Sequence, residues 1–468
     1  MRKTKIVCTL GPASDDLKIL KKLIAAGMNV ARLNLSHGTR EEHAERIKKI
    51  RTISHEVAIL ADLQGPRIRT GYLKNKNIEL KAGTKIILSS HDLPGDEKKI
   101  SVTPAGVIQT AKKGERILLA DGTIKLEVIA KKSGGVECLV VSGGPLGEQK
   151  GVNLPETDLD LPSLTAKDRE DVEWGIKQEV DYFALSFVRK PADVLCLKKI
   201  LRDRRVTIPV ISKIEKGEAV KNLKEIITVS DGVMIARGDL GVEISLEKVP
   251  VIQKEIIEIC RTLEKPVIVA TQMLESMVND PTPTRAEVSD VANAIFDGTD
   301  AVMLSEETSA GHYPVESVEM MAKIALEVEK IIKFNPLEVV TDKNIGVAVA
   351  HAACVLTRVV RAGAIITFTE TGSTSLRVAK HRPDVPIIGV VTNDRTLRKL
   401  ALFFGVIPVK ITPFRYIDEM ILKTEKAILD LHLLKRGDMV IITAGVPINV
   451  PGTTNLIKVH RIGEKQTL

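Results

Sequence analysis

Aromatic residues are scarce: Phe, Trp and Tyr make up 3% of the 468 residues. That supply is too thin for an interleaved base-stacking platform, although the formal net charge of +8 would otherwise invite a nucleic-acid partner. The basic residues are also interleaved with acids, as in KKGERI and EKGEAVKNLKE, which reads as a solvated charged surface. Cysteine is equally sparse. Cys8, Cys138, Cys196, Cys260 and Cys354 form no CxxC pair and leave one odd, which argues against a disulfide framework or a zinc site and for reduced thiols in a cytoplasmic setting. No run of eighteen apolar residues occurs, so no transmembrane helix is expected. The start, MRKTKIVCTLGPAS, has only a strand-length apolar run and makes a poor secretory signal. Neither GxxxxGK(S/T) nor GxGxxG is present, so a nucleotide would be held without either common phosphate loop.

What the chain does have is short apolar runs in plenty. With 44% apolar and 27% charged residues it is globular, and its length suits two or three domains. Eight runs are each followed by helix-like periodicity: KIVCTLG, NVARLNLS, VAILADLQG, DYFALSFV, PVISKIE, GVMIARGDLG, PVIVATQM and AVMLSEET. Rich in Val, Ile and Leu without clean alternation, they suit parallel strands buried on both faces. The stretches between them, such as DDLKILKKLIAAG and PADVLCLKKILRDR, are amphipathic and several open with a cap or an early proline. Eight such units predict an α/β fold built on a (β/α)8 TIM barrel.

One long interruption follows ADLQGPRIRTG. From there the helical period vanishes and short β-type runs take over: TKIILSS, ERILLADG, IKLEVIAKKSGG and VECLVVSGGPLG. The chain therefore divides into barrel residues 1–69, an inserted all-β domain over 70–161, the rest of the barrel over 162–334, and an open α/β domain over 335–468.

Chemistry in such barrels sits at the C-terminal strand ends. Here those ends carry Arg32, Asn34 and Ser36; Asp62; Ser186; Lys213 and Glu215; Arg237 and Asp239; Thr271; and Ser305 and Glu307. Glu215 and Asp239 end neighbouring predicted strands and make credible shared ligands of Mg2+, which takes one or two carboxylates and completes its shell with water and substrate oxygens. Lys213 lies two residues before Glu215, so both face the barrel interior, where an ammonium can neutralise a transferring phosphoryl group or an enolate. A Schiff-base lysine is the competing chemistry, and the nearby carboxylate disfavours it. The glycines of ARGDLG free backbone amides for an anion such as a carboxylate.

Taken together, KIVCTLGPAS, GMNVARLNLSHG, SKIEKGEAV, DGVMIARGDLGVEI, KPVIVATQMLESM, PTRAEVSDVANAIFDGTDAVMLSEETSAGHYP and PGTTNLIKVH closely resemble the pyruvate kinase family. The resemblance implies a barrel with an inserted β domain and a C-terminal α/β domain, and phosphoryl transfer from phosphoenolpyruvate to ADP giving pyruvate and ATP. It assigns Arg32 to the grip on the substrate phosphoryl group, and Lys213 to stabilising that group and the enolate oxygen. Glu215 and Asp239 are assigned to Mg2+, with Mn2+ a possible substitute. Gly238 and Asp239 offer amides to the substrate carboxylate, with Ser186 beside them, and Thr271 lies near the methylene carbon. Asn34, His37 and Arg69 face the nucleotide. A homotetramer in the glycolytic pathway is implied as well.

Two places depart from the better-known family pattern. Potassium-dependent members read Asp-Thr-Lys-Gly-Pro-Glu where this chain reads Asp62-Leu63-Gln64-Gly65-Pro66-Arg67. In them a monovalent cation sits near the positions of Asn34, Ser36, Asp62 and Leu63. Arg67 replaces the glutamate, and its fixed guanidinium is expected to substitute for K+ and make it dispensable. In the last domain, Thr369, Thr371, Gly372, Ser373, Thr374 and Ser375 of TFTETGSTS suit the phosphate of an allosteric effector at a helix start. Glu370 stands where a lysine helps hold fructose 1,6-bisphosphate, and AGVPINVPGTTN lacks that site's tryptophan and arginine, which argues against that particular sugar.

Two other readings compete. A Mg2+-dependent aldolase or mutase would not need an inserted domain able to close over a nucleotide. A catalytically silent phosphometabolite sensor would need the central constellation broken, and it is intact.

Overall fold

The computed structural model describes residues 1–159, 161–332, 344–447 and 453–464. All eight apolar runs form strands: β1 (Lys5–Thr9), β2 (Val30–Asn34), β3 (Ala58–Asp62), β4 (Tyr182–Leu185), β5 (Val210–Ile214), β6 (Gly232–Ala236), β7 (Val267–Ala270) and β8 (Ala301–Leu304). They pair in sequence, all parallel, and β8 closes on β1 through Lys5 opposite Ala301. The expected TIM barrel is present.

Both faces of each strand are apolar, and strand parity separates them. Val7, Val30, Leu60, Ile211, Met234 and Ile268 fill the barrel interior. Their alternates Cys8, Ala31, Ala61, Val210, Ile235 and Val269 pack outward against the helices. This two-sided burial is why the runs show no clean alternation of apolar and polar residues. The helices are capped as their sequences suggest. Thr39, Thr165 and Thr284 each close a reciprocal capping box with the acid three residues on.

Between β3 and β4 the chain leaves the barrel to build a mostly antiparallel seven-stranded sheet. Its order is Val152–Asn153, Arg116–Leu119, Ile124–Lys132, Gly135–Ser142, Lys85–Ser89, Lys99–Thr103 and Arg69–Thr70, and Gly144–Gly147 pairs separately with Asn77–Leu80. The four predicted β runs are all there. The remaining strands are short or polar, and no run announced them. This inserted domain has its own apolar core, including Ile86, Leu88, Ile117, Leu126 and Val136.

The C-terminal sheet runs β9 (Ala364–Phe368), β10 (Ile387–Val391), β11 (Val406–Lys410), β12 (Met439–Gly445) and β13 (Thr454–Arg461), in the order β11-β10-β9-β12-β13. The first four are parallel and β13 runs antiparallel. The expected domain boundary at 334/335, and Pro451 and Gly452 of the PGTTN motif, lie outside the described residues. This domain seals the barrel floor. Leu400, Leu402 and Phe403 join the interior core, Lys5 Nζ donates to Val406 O at 2.6 Å, and Tyr182 Oη to Lys399 O at 2.5 Å. Asp300, fully buried, pairs with both Lys380 and Arg382 at 2.8 Å. Among the described residues no helix is long and apolar enough to cross a membrane.

Candidate active site

The interior parity that fills the barrel with Val and Ile continues upward into polar side chains. On β1 it runs Lys5, Val7, Thr9; on β2, Val30, Arg32, Asn34; on β3, Ala58, Leu60, Asp62; on β4 it continues to Ser186 just past the strand, and on β5 through Lys213 to Glu215 just past it. One carboxylate organises them. Asp62 Oδ2 accepts from Arg32 Nε at 2.7 Å and pairs with Arg32 NH2 at 2.7 Å, while its Oδ1 lies 3.3 Å from Lys213 Nζ. Arg32 NH1 also donates to Thr9 Oγ1 at 2.8 Å. Lys213 Nζ donates to Ser186 Oγ at 2.8 Å, and Ser186 Oγ donates to Leu63 O at 2.8 Å. Burial alone would raise the Asp62 carboxyl, but the Lys213 ammonium and the Arg32 guanidinium overcome it and hold the group below the usual carboxylate range. Burial works against the Lys213 charge too, yet Asp62 and Glu215 keep its ammonium above the ordinary lysine value.

Glu215 is the least settled member. Phe187 N donates to its Oε2 at 2.7 Å. Its Oε1 lies 2.8 Å from Lys213 Nζ, yet not in hydrogen-bond geometry, so the pair is electrostatic and the oxygen has no hydrogen-bond partner although buried. Burial, with the like charge of Asp239, pushes the Glu215 carboxyl upward. Asp239 opens the first turn of the helix Arg237–Glu243 that follows β6, and β5 and β6 are adjacent. Two neighbouring carboxylates that feel each other's charge, one with a buried oxygen that makes no hydrogen bond, fit a divalent cation. Among the described residues no cluster of three or more His, Cys, Asp or Glu gathers, and a pair of carboxylates suits a cation such as Mg2+ that completes its shell with water and substrate oxygens.

The end of β7 is strained. Thr271 and Gln272 adopt φ of 69° and 52°, costly for a β-branched residue, and Phe187 beyond β4 adopts 55°. Arg237 holds the first pair in place. Its NH2 donates to Thr271 O at 2.7 Å and its NH1 to Asp290 at 2.7 Å, with a longer bond from Nε to Ala270 O. Arg237, expected simply among the residues of the barrel mouth, is thus a brace for Thr271. Gly238 N, expected to be free for a carboxylate, donates to Thr271 Oγ1 at 2.8 Å, and that hydroxyl donates to Ala270 O at 2.6 Å. Glu307 is likewise a brace. It accepts from Ser305 N at 2.6 Å and Leu274 N at 3.1 Å.

Above this floor the inserted domain and the barrel enclose a cavity of about 510 Å3, lined by His37, Arg67, Arg69, Lys150, Asp239 and Glu306 among others. A second cavity of about 580 Å3, beside Arg32, Asn34 and Ser305, shares His37 and Glu306 with it. Burial, with Arg67, Arg69 and Arg32 nearby, lowers the His37 imidazole below its usual value. Arg67 makes no ion pair among the described residues, and its buried Nε has no partner. Asn34 Oδ1 accepts from Ser36 N at 3.2 Å.

Far from this mouth, at the C-terminal edge of β9, the predicted effector loop is largely self-satisfied. Thr369 Oγ1 accepts from Gly372 N at 2.9 Å, Thr374 bonds Thr454 at 2.7 Å, and Ser375 bonds Thr367 at 2.7 Å. Gly372, at φ 89°, makes the left-handed turn into the helix Ser373–Lys380. Thr371 Oγ1 donates to Ser373 Oγ at 3.2 Å, and Lys399 Nζ donates to Thr371 O at 2.8 Å. Part of the AGVPINVPGTTN segment opposite lies outside the described residues.

Comparison with known proteins returns one family across both ends of the chain. Residues 1–318 match the family model described as pyruvate kinase, barrel domain, and residues 347–460 that of pyruvate kinase, alpha/beta domain. A pyruvate kinase of Geobacillus stearothermophilus is 49% identical over 479 residues, covering 99% of this chain and 81% of that protein. One of Bacillus licheniformis is 48% identical with the same coverage. The crystal structure of a pyruvate kinase from Cryptosporidium parvum superposes with a TM-score of 0.92 at 36% identity, covering 98% of this chain and 96% of that one.

Proposed function

The chain belongs to the pyruvate kinase family, and from that membership we propose that it moves the phosphoryl group of phosphoenolpyruvate to ADP as a Mg2+-dependent, K+-independent enzyme of glycolysis. The observation that carries the reading is the single carboxylate, Asp62, that ties Arg32 and Lys213 together at the barrel mouth. Phosphoryl transfer needs positioning and charge neutralisation more than covalent help. Arg32, already fixed by Asp62 and Thr9, presents its remaining edge to the phosphoryl oxygens in a planar fork. Lys213 holds a proton firmly beside the site where negative charge appears on the enol oxygen as its bond to phosphorus breaks. The phosphorus goes to a terminal phosphate oxygen of ADP, held by His37, Asn34 and Arg69. The enolate then takes a proton from solvent at its methylene carbon, where the Thr271 hydroxyl sets the local hydrogen bonds. A substrate carboxylate would take the Gly238 amide from Thr271, drawing that strained residue into the reaction. Glu215 and Asp239 would hold Mg2+, which when bound neutralises the charge shared by carboxylate and phosphoryl oxygens.

K+ independence rests on occupancy of the atoms a monovalent cation would need. Both Asp62 oxygens face cations, and Leu63 O accepts the Ser186 hydroxyl. Arg67, with no carboxylate partner among the described residues, supplies a fixed positive charge instead. The test is pyruvate formation from phosphoenolpyruvate and ADP with Mg2+, in buffer free of K+ and ammonium, then with K+ added. Full turnover without K+ is expected. Turnover only with K+ would keep the kinase and sink the role of Arg67, and no pyruvate in either buffer would remove the kinase assignment.

The Thr369–Ser375 loop we assign to a phosphorylated effector, supported by Thr371 and Ser373 exposed or half-buried at the helix start with the Lys399 ammonium alongside. Titration with phosphorylated metabolites, read as a shift in the phosphoenolpyruvate saturation curve, tests it, and light scattering tests the homotetramer implied by the family.

A further inference from the structure

The inserted domain meets the barrel in two ways. Its two connections are tied down: Asp168 Oδ1 accepts from Gly65 N at 3.1 Å on the outgoing one, and Arg189 donates to Leu159 O at 2.6 Å and Leu161 O at 2.7 Å on the returning one. Gly65 itself takes φ 69°, a turn that fits glycine. Apart from Arg189, one side-chain hydrogen bond joins lid to barrel among the described residues. Asn153 Nδ2, in the lid strand Val152–Asn153, donates to Glu243 Oε1 at 2.7 Å. The same oxygen takes Lys216 Nζ at 2.5 Å, and the Lys216 ammonium also sits 5.7 Å from the centre of the Phe187 ring.

We propose that Asn153 and Glu243 form the latch that holds the lid closed over the cleft, and that Lys216 couples the latch to the two carboxylates assigned to Mg2+. Lys216 is the residue after Glu215, and Glu243 ends the seven-residue helix whose first turn carries Asp239. Closing the lid on Glu243 therefore bears on both carboxylates through one short piece of backbone each. The arrangement is also easy to reverse. Glu243 is 8% exposed and could not be left bare without a large penalty, but Lys216 stays with it on the barrel when Asn153 departs. Opening thus loses one charge-assisted hydrogen bond and strands no charge. These are positioning residues, acting through the lid and the carboxylates rather than on substrate.

The inference rests on the kinase reading only in its activity arm. The variants are Asn153→Ala, Glu243→Gln and the double, made in the full chain. Asn153→Ala is expected to lower kcat/KM for both phosphoenolpyruvate and ADP by about tenfold or more, the value of one charge-assisted bond, with an unchanged melting temperature because Asn153 is half-buried. The double variant is expected to be no worse than the poorer single, since both act through one contact. Independently of turnover, amide hydrogen exchange of residues 237–244 beneath the lid is expected to quicken in Asn153→Ala. Wild-type kinetics and exchange in Asn153→Ala would overturn the latch, as would single effects that multiply in the double. A wild-type chain that makes no pyruvate would sink the kinase reading and leave the exchange measurement to decide the latch.

Discussion

Replacing Asp62 by Asn removes one charge and almost no volume, at the residue on which the site depends most. The carboxylate is 1% exposed, takes two 2.7 Å contacts from Arg32 and stands 3.3 Å from Lys213. An amide can keep one oxygen for Arg32, but its NH2 then faces the Lys213 ammonium, a donor against a donor. At an effective dielectric constant of about 20 the lost attraction to Lys213 alone is of order 5 kcal/mol. Glu215 remains 2.8 Å from the same ammonium and recovers part of it. A net loss of about 2–4 kcal/mol is left, roughly a 30- to 700-fold fall in kcat/KM. The assay is steady-state pyruvate formation with both substrates varied, beside circular dichroism to show the fold intact. The fall should appear in kcat, because the role proposed for Lys213 is greatest where charge develops on the enol oxygen. A folded Asp62→Asn enzyme within threefold of wild type would refute Asp62 as the organiser of Arg32 and Lys213. The folded state also holds the Asp62 carboxyl below 3.8, so its contribution to stability is complete above that pH and is lost only as pH falls through the lower, folded value.

Other predictions concern separate parts of the molecule. If Arg67 is the fixed cation proposed above, Arg67→Glu should make activity depend on K+, read as activity with and without KCl, and equal loss in both buffers would refute that role. Lys5, buried at the barrel floor with Val406 O as its hydrogen-bond partner, has its pKa lowered from 10.5 to about 7, chiefly by burial and then by Arg2, against Glu329 and Glu56. The unfolded chain therefore binds more protons between those values, and stability should rise with pH there, by about 2–3 kcal/mol from pH 6 to pH 9. Lys5→Met should flatten that slope in denaturant melts, and an unchanged slope would refute the assignment.

How much of this was legible in the chain follows from one rule applied twice. Parity along a strand, read from the Val and Ile runs, also dictates which polar residue surfaces at the barrel mouth. It is why Lys213 and Glu215, two apart, were expected on one face, and it would have found Thr9 as a partner of Arg32 had it been carried from Val7. Residues on loops and helix ends escape that rule because their direction depends on backbone the sequence does not display. Gly238 looked free in the glycine-containing ARGDLG turn, yet a positive φ at Thr271, braced by Arg237, brings a hydroxyl onto its amide. Glu307 looked like one more polar group at a strand end, yet the turn after β8 folds it back onto Ser305 and Leu274 amides. The latch was hidden for a further reason. Asn153, Lys216 and Glu243 are each ordinary polar residues, 27 or more positions apart, and only the lid's return onto the barrel makes them neighbours. Local periodicity can therefore locate the chemistry of a barrel, while the parts that time it, being contacts between separately folded pieces, become visible only once those pieces are docked.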